Sequence, residues 1–263
     1  MRLPLALTTI CLAFSALLSA ADLVPTNLTV EHRVNPVGLE VEVPRLSWKL
    51  KAAKKGKVQM AYRILAASSE AILKRNEGDL WDTGKKKSPS NYLIFYKSGK
   101  PLQSGQTVFW KVQVWDEVDG ASPWSETHRF TMGILEQASW KAQWISFRDE
   151  SALHRNPAKL HLPAPRYYRK SFQAAKKIVR AQLYATALGI YELHFNGAEV
   201  GDAYLAPGWS DYSRRVYYQS YDVTSKIAEG ENCLGAVVAD GWYAGYLGAA
   251  RRKGFGPYGT GRN

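Results

Sequence analysis

A chain of 263 residues with 35 Lys and Arg against 23 Asp and Glu carries a formal charge of +12, and its only cysteines are Cys11 and Cys233. Once an N-terminal signal carrying Cys11 is removed, no intramolecular disulfide can form, so stability must come from hydrophobic cores. Roughly 240 mature residues supply enough of these for two domains.

The chain opens with Met1-Arg2 and an apolar run from Leu3 to Leu18, followed by Ser19-Ala20-Ala21-Asp22. A basic start, an apolar core and small residues before an acid are the parts of a secretory signal peptide, cleaved after Ala20 or Ala21. The run is shorter than the ~20 residues of a spanning helix. The expectation is therefore a secreted or periplasmic protein without stable membrane insertion.

From Leu28 to about Gly133 short strands alternate with turns. Arg45 to Leu50 alternates polar and apolar residues after Pro44, and Gln59 to Ala66 is a second strand. In the run Thr107 to Asp116, Val108, Trp110, Val112 and Val114 share one face, with Phe109 and Trp115 on the other. Asp119-Gly120 then makes a tight turn, and Thr127 to Met132 is the closing strand. Ser68 to Leu80 has helical composition and interrupts the pattern with a short helix. About seven strands without cysteines predict a fibronectin type III or immunoglobulin-like sandwich over residues 22–133, after the signal peptide at 1–21. Trp48, Trp110 and Trp115 lie within its strands and are expected to pack in the core.

Residues 134–166 form a connecting segment, in which Trp140 to Ile145 is expected to dock and Asp149 to Pro165 is a polar loop. Strand patterning resumes at Tyr167 to Phe172 and continues through Ala181 to Leu188, Tyr191 to Phe195, Val216 to Val223 and Leu234 to Ala239. Asn196-Gly197 supplies the left-handed geometry of a hairpin turn. Residues 167–263 thus read as a jelly-roll-like sandwich, incomplete at its C-terminus, and the chain as all-β with two tandem β-sandwiches.

Several motifs follow one another in this second region: Trp140 to Ile145, Tyr168-Arg169-Lys170, Ala187-Leu188-Gly189-Ile190-Tyr191-Glu192, Asn196-Gly197, Val200-Gly201-Asp202, Pro207-Gly208-Trp209, Tyr218 to Thr224, and Asp240-Gly241-Trp242-Tyr243. In that order and spacing they resemble the bacterial α-L-rhamnosidases of glycoside hydrolase family 78. Trp81-Asp82-Thr83-Gly84, Leu102 to Gly105, Phe109 to Val112 and Trp124-Ser125 resemble the fibronectin-like module that opens many of them.

The resemblance implies an inverting hydrolase of terminal α-L-rhamnosides. Its two catalytic carboxylates, separated by roughly 6.5–9.5 Å, sit on a helical (α/α)6 barrel C-terminal to these domains. No stretch here resembles that barrel, so this is expected to be the accessory N-terminal portion, inactive alone, whose partners are rhamnose-containing glycosides or polysaccharides and the barrel of the same polypeptide. The alternative is a free-standing carbohydrate-binding protein or a structural envelope module.

Asp202, Asp211, Asp222 and Asp240 are the carboxylates nearest the motifs, but Asp202 and Asp240 adjoin glycines and read as turn formers. No catalytic residue is assigned. For sugar binding, Trp209, Tyr212, Trp242 and Tyr243 offer aromatic faces, and Asn196, Asp202 and Asp240 offer polar groups. The competing reading packs Trp209 and Trp242 against the barrel. Some family members bind L-rhamnose with calcium through a related sandwich, yet no dense Asp/Asn loop is present, so no cofactor is assigned and calcium stays open. His32, His128, His154, His161 and His194 are too dispersed for zinc. The basic clusters Lys51 to Lys57, Lys85 to Lys87 and Arg251 to Lys253 lie beside Gly, Ser or Pro, which suits solvated loops. This excludes a nucleic-acid-reading helix and leaves acidic polysaccharide as the better use of the charge.

Overall fold

The computed structural model describes residues 23–146 and 164–245. The signal peptide, most of the 149–165 loop, the Arg251 to Lys253 cluster and the Gly-rich terminus lie outside the described residues. No helix among the described residues is long and apolar enough to cross a membrane.

The chain divides into two compact units. Among the described residues, the first contains 23–35, Val43–Lys100 and Val108–Arg129; the second contains Pro36–Glu42, Pro101–Thr107, 130–146 and 164–245. The fold is all-β, with two tandem β-sandwiches.

In the first sandwich β1 (Leu23–Val30), β2 (Arg45–Ala52), β3 (Ala61–Ala67), β4 (Trp81–Asp82), β5 (Lys86–Lys87), β6 (Ile94–Phe95), β7 (Thr107–Trp115) and β8 (His128–Thr131) follow in order. They form one sheet of order β1-β2-β6 and a second of order β4-β3-β7-β8, with β5 also on β3. The antiparallel register sets Tyr62 opposite Val114, Ile64 opposite Val112 and Ala66 opposite Trp110, so one face of the β3–β7 pair is apolar. Leu23, Leu28, Val30, Leu46, Ile64, Trp110 and Phe130 are all essentially inaccessible to solvent.

The opposite face is covered by the short helix α1 (Glu70–Lys74), whose Ser69 hydroxyl caps it by accepting from the Ile72 amide. Leu65, Ala67 and Leu73 form a small cluster there with Ile72, Phe109 and Trp124. The helix is shorter than the composition of 68–80 suggests, because Asn76 turns the chain with φ 60° and the Lys111 ammonium donates to the Asn76 side-chain oxygen. Lys111 is itself buried, which pushes its pKa down. Its ammonium lies 4.8 Å from the Trp124 ring centroid.

Trp48 packs edge-on to Tyr62 with ring centroids 5.4 Å apart, and its indole N–H donates to Gln59 Oε1 at 3.0 Å. Trp115 is half-buried, and its ring is faced by the Lys85 ammonium at 4.9 Å. Trp48 and Trp110 thus pack in the core as expected, whereas Trp115 stays at its margin and is not part of the core.

Glu31 and Arg45 join β1 to β2 through paired hydrogen bonds of 2.6 to 3.1 Å. The Arg45 guanidinium holds the Glu31 carboxyl below its ordinary value of 4.5. A carboxyl lowered on folding stabilises above its unfolded pKa, and that stabilisation fades as the pH falls through the folded one. Replacing Glu31 with Gln should therefore lower the urea midpoint at pH 7 and leave it nearly unchanged at pH 3. Equal losses at both values would show that the pair contributes by packing rather than charge.

The second sandwich opposes a four-stranded sheet to a two-stranded one. Its strands are β9 (Arg166–Ala174), β10 (Gln182–Ala185), β11 (Ile190–Phe195), β12 (Ala198–Glu199), β13 (Gln219–Asp222) and β14 (Gly230–Ala239). The larger sheet runs β12-β11-β14-β9 and the smaller pairs β10 with β13. Tyr191, Leu193 and Phe195 face the core and stand opposite Val238, Ala236 and Leu234. Leu183 and Tyr221, cross-strand partners in the other sheet, pack against the same cluster. Asn196 and Gly197 have φ of 49° and 82°, and Phe195 pairs with Ala198. This is the two-residue hairpin that Asn-Gly predicts.

The second unit also takes in segments that the sequence assigns to the first sandwich region. The Leu39 amide bonds to the Thr131 carbonyl at 2.9 Å and the Met132 amide to the Gln106 carbonyl at 2.8 Å. The Ile134 amide donates to the Tyr218 hydroxyl at 2.8 Å. Gly38 abuts the Ser220 side chain, and a Cβ on Gly133 would lie 2.6 Å from the Tyr218 hydroxyl. Burial pushes that hydroxyl up to about 12. Within the connecting segment Trp140 packs on Tyr218 with centroids 5.4 Å apart. Trp144 and Ile145 are 62% and 73% exposed, so only the first residue of that aromatic run docks as expected.

Candidate functional site

The loop between β12 and β13 carries the densest set of exposed rings in the second unit. Tyr204 is 93% exposed, Trp209 59% and Tyr217 40%, with Leu205 beside them at 54%. Such a loop would ordinarily bury its apolar residues, so what fixes its shape matters.

The loop is clasped at several points. The Tyr191 amide on β11 donates to the Ala206 carbonyl at 2.8 Å, and the Gly208 amide turns back to the Leu205 carbonyl at 3.1 Å. Gly208 has φ 101°, open to glycine and strained for other residues, and a Cβ there would touch the Tyr217 ring at 3.9 Å. The Gln219 side-chain amide donates to the Pro207 carbonyl at 3.0 Å, and the Ser210 hydroxyl to the Arg215 carbonyl at 2.7 Å. Asp211 orders the turn between by accepting from the Ser213 amide and hydroxyl. Trp209, Arg215 and Tyr217 are thereby carried on one pinned frame.

The Arg215 guanidinium lies over the Tyr217 ring, 5.1 Å from its centroid. Tyr212 meets Tyr243 edge-on with centroids 5.4 Å apart. That contact brings the turn after β14 beside the loop. There Asp240 precedes the helical turn α2 (Gly241–Ala244) without a side-chain cap bond. A Cβ on Gly241 would strike Ile190 Cγ2 at 2.7 Å, so the turn is seated against the start of β11.

Among the residues expected to bind sugar, Trp209 is presented to solvent, whereas Trp242 is half-buried. Asp202 is exposed, and its charge helps burial to push the Tyr221 hydroxyl up. Tyr221 in turn shares a 3.1 Å hydrogen bond with Tyr191, whose hydroxyl burial pushes up further still.

Asn196 sits apart from the rest. It lies at the far end of β11, five residues beyond Tyr191 or about 17 Å of extended strand. Its side chain makes three hydrogen bonds there: the amide donates to the Lys226 carbonyl and to Asn232 Oδ1 at 2.9 Å each, and its oxygen accepts from the Cys233 amide at 2.7 Å.

The other motif carboxylates serve local structure, with Asp222 accepting from the Thr224 amide at 3.1 Å and Asp211 ion-paired to Arg214 at 3.5 Å. His194 bonds to Glu192 at 2.6 Å, two residues away on the same strand face. Among the described residues no group of three His, Cys, Asp or Glu could hold a metal ion. Sequence reasoning overlooked Tyr204, Arg215 and Tyr217. The Arg214-Arg215 pair beside an aromatic was the available signal.

Comparison with known proteins follows the same division. Residues 25–136 match the family described as Rha78A-like, N-terminal immunoglobulin domain, and residues 176–262 the alpha-L-rhamnosidase N-terminal domain. An alpha-L-rhamnosidase of Alteromonas sp. (strain LOR) is 42% identical over 85% of this chain and 24% of its own length. One of Formosa agariphila is 39% identical over 81% of this chain and 23% of its own.

Among solved structures, the alpha-L-rhamnosidase from Dictyoglumus thermophilum superposes with a TM-score of 0.74 at 38% identity, covering 83% of this chain and 25% of that one. The Streptomyces avermitilis alpha-L-rhamnosidase complexed with L-rhamnose gives 0.71 at 27% identity, over 86% and 37%. The chain spans about a quarter of the length of the first curated relatives it matches. By both of its sandwiches it belongs to the α-L-rhamnosidase family, as a portion corresponding to the N-terminal domains of the members.

Proposed function

We propose that this chain is the accessory, non-catalytic N-terminal part of an exported α-L-rhamnosidase. In this reading the enzyme releases terminal α-L-rhamnose from glycosides or polysaccharides with inversion, using an acid and a base carried on a helical barrel elsewhere in the polypeptide. The observation that carries it is the match of both sandwiches to N-terminal domains of α-L-rhamnosidases that are about four times longer. The occupation of Asp211 and Asp222 in local turns supports it, since an inverting pair must face a shared cleft. The signal-like N-terminus supports export.

The purified chain should not hydrolyse an aryl α-L-rhamnoside, whereas a longer polypeptide that adds the barrel should. Turnover above background by the chain alone, abolished by Asp202→Asn or Asp240→Asn, would place the acid and base here and overturn the proposal. A second reading, a carbohydrate-binding module that acts without hydrolysis, is favoured by the uncovered Trp209.

A further inference from the structure

We propose that Trp209, Arg215 and Tyr217 form a platform for a uronate-bearing polysaccharide chain. This rests on the carbohydrate-directed reading above and adds to it the class of glycan.

The chemistry of the three side chains is complementary to such a chain. The apolar C–H face of a pyranose stacks on an indole or phenol ring, and Trp209 is 59% exposed with no aromatic or cation–π partner among the described residues. In the first sandwich, by contrast, Trp115 is capped by Lys85 and Trp124 by Lys111. Arg215 adds the charged element. Its guanidinium carbon lies 5.1 Å from the Tyr217 ring centroid, and among the described residues no ion pair engages it, whereas neighbouring Arg214 is paired with Asp211. A planar guanidinium is suited to bidentate pairing with a planar carboxylate. A cation without an ion pair among the described residues, carried on the same loop as an exposed ring, thus selects a sugar carrying an acid group over a neutral one. The excess of 35 Lys and Arg over 23 Asp and Glu would steer a polyanion toward the surface.

The backbone geometry favours a binding surface over a loop waiting to collapse. Ser210 to Arg215, Gln219 to Pro207 and Tyr191 to Ala206 hydrogen bonds hold the frame. Little conformational entropy would then be lost on binding.

The test is calorimetric titration of the full chain with hexagalacturonate and with its methyl ester, at low and high salt. Saturable binding of the acid form is expected, weakened about tenfold or more by Trp209→Ala, with the loss of a stacking face. Arg215→Gln should weaken the acid form by about tenfold while leaving the ester unchanged, because only the carboxylate uses the guanidinium. Near-UV circular dichroism of each variant checks that the fold is kept.

Absence of saturable binding, or equal binding by the wild type and both variants, would overturn the proposal. So would equal affinity for duplex DNA that persists in Trp209→Ala, which would assign the effect to bulk charge. If acrylamide fails to quench Trp209 in a longer polypeptide carrying this chain, the patch is an internal contact and the proposal falls. Rhamnoside hydrolysis by that polypeptide is scored separately, so the enzyme assignment can stand while the platform fails.

Discussion

Residues 134–263 expressed alone should fail to give a cooperative thermal transition, even though they contain every described strand of the second sandwich. The second unit includes Pro36–Glu42 and Pro101–Thr107, and Ser220 of β13 abuts Gly38, Tyr184 of β10 abuts Gly105, and Tyr218 just before β13 abuts Gly133 after β8. Cutting the chain in the connecting segment removes Gly38 from Ser220 and Gly105 from Tyr184, and exposes the tyrosine hydroxyls that burial has raised. It also strips the Arg180 guanidinium of the Gly105 carbonyl.

Domains have a net stability of only about 5–15 kcal/mol, so losing several buried contacts at one sheet is enough to melt it. A gentler version keeps the whole chain and replaces Gly133 with Val. The added carbons would meet the Tyr218 hydroxyl and the Gly38 carbonyl, at a cost of about 1–3 kcal/mol for an overpacked site. A dispersed amide spectrum and a sharp melt from residues 134–263 would show that the two early stretches are dispensable.

The second large effect is expected at Asn232, which is 1% exposed and makes four side-chain hydrogen bonds. Its amide donates to the Ala228 and Gly230 carbonyls, and its oxygen accepts from the Ala228 amide and the Asn196 amide. Truncating it to Ala removes all four and leaves the buried partners unsatisfied, which should cost about 3 kcal/mol or more in chemical denaturation.

Asn196→Gly retains the left-handed φ at that turn while deleting the paired side chain, and should cost about 1–3 kcal/mol. The double variant should lose less than the sum, because each single change already breaks the shared bond. Asn196→Gly should also leave hexagalacturonate binding intact, since the residue lies at the other end of β11 from Trp209. Weakened binding with unchanged stability would restore it as a sugar contact.

Much of the fold was legible because β strands announce themselves through alternation. Val108, Trp110, Val112 and Val114 lie on the predicted inward face, and Asn196-Gly197 makes the predicted hairpin. The capped helix at Ser69 was visible in composition, but its early end at Lys74 depended on Asn76 meeting Lys111, a tertiary contact no local pattern carries.

The site was less legible. Trp209 stood out beside Pro-Gly, yet Tyr217 and Arg215 join it only because Gly208 folds the chain back on itself. Asn196 was misleading for a related reason. A polar residue in a family motif resembles a ligand contact until the structure shows both its amide protons and its oxygen engaged by the Lys226 carbonyl, Asn232 and the Cys233 amide.

The composition of the second unit also bears on timing. Gly38 and Ser220 are neighbours although they lie about 180 residues apart in the chain, a separation that delays folding far more than it weakens the folded state. Residues 36–42 emerge early in synthesis, wait for Thr131 to Gly133 to bond with them, and meet Ser220 only when β13 has been made. The second sandwich therefore closes late, and the stretch Pro36–Glu42 is where a chaperone or a protease would most readily find the unfinished molecule.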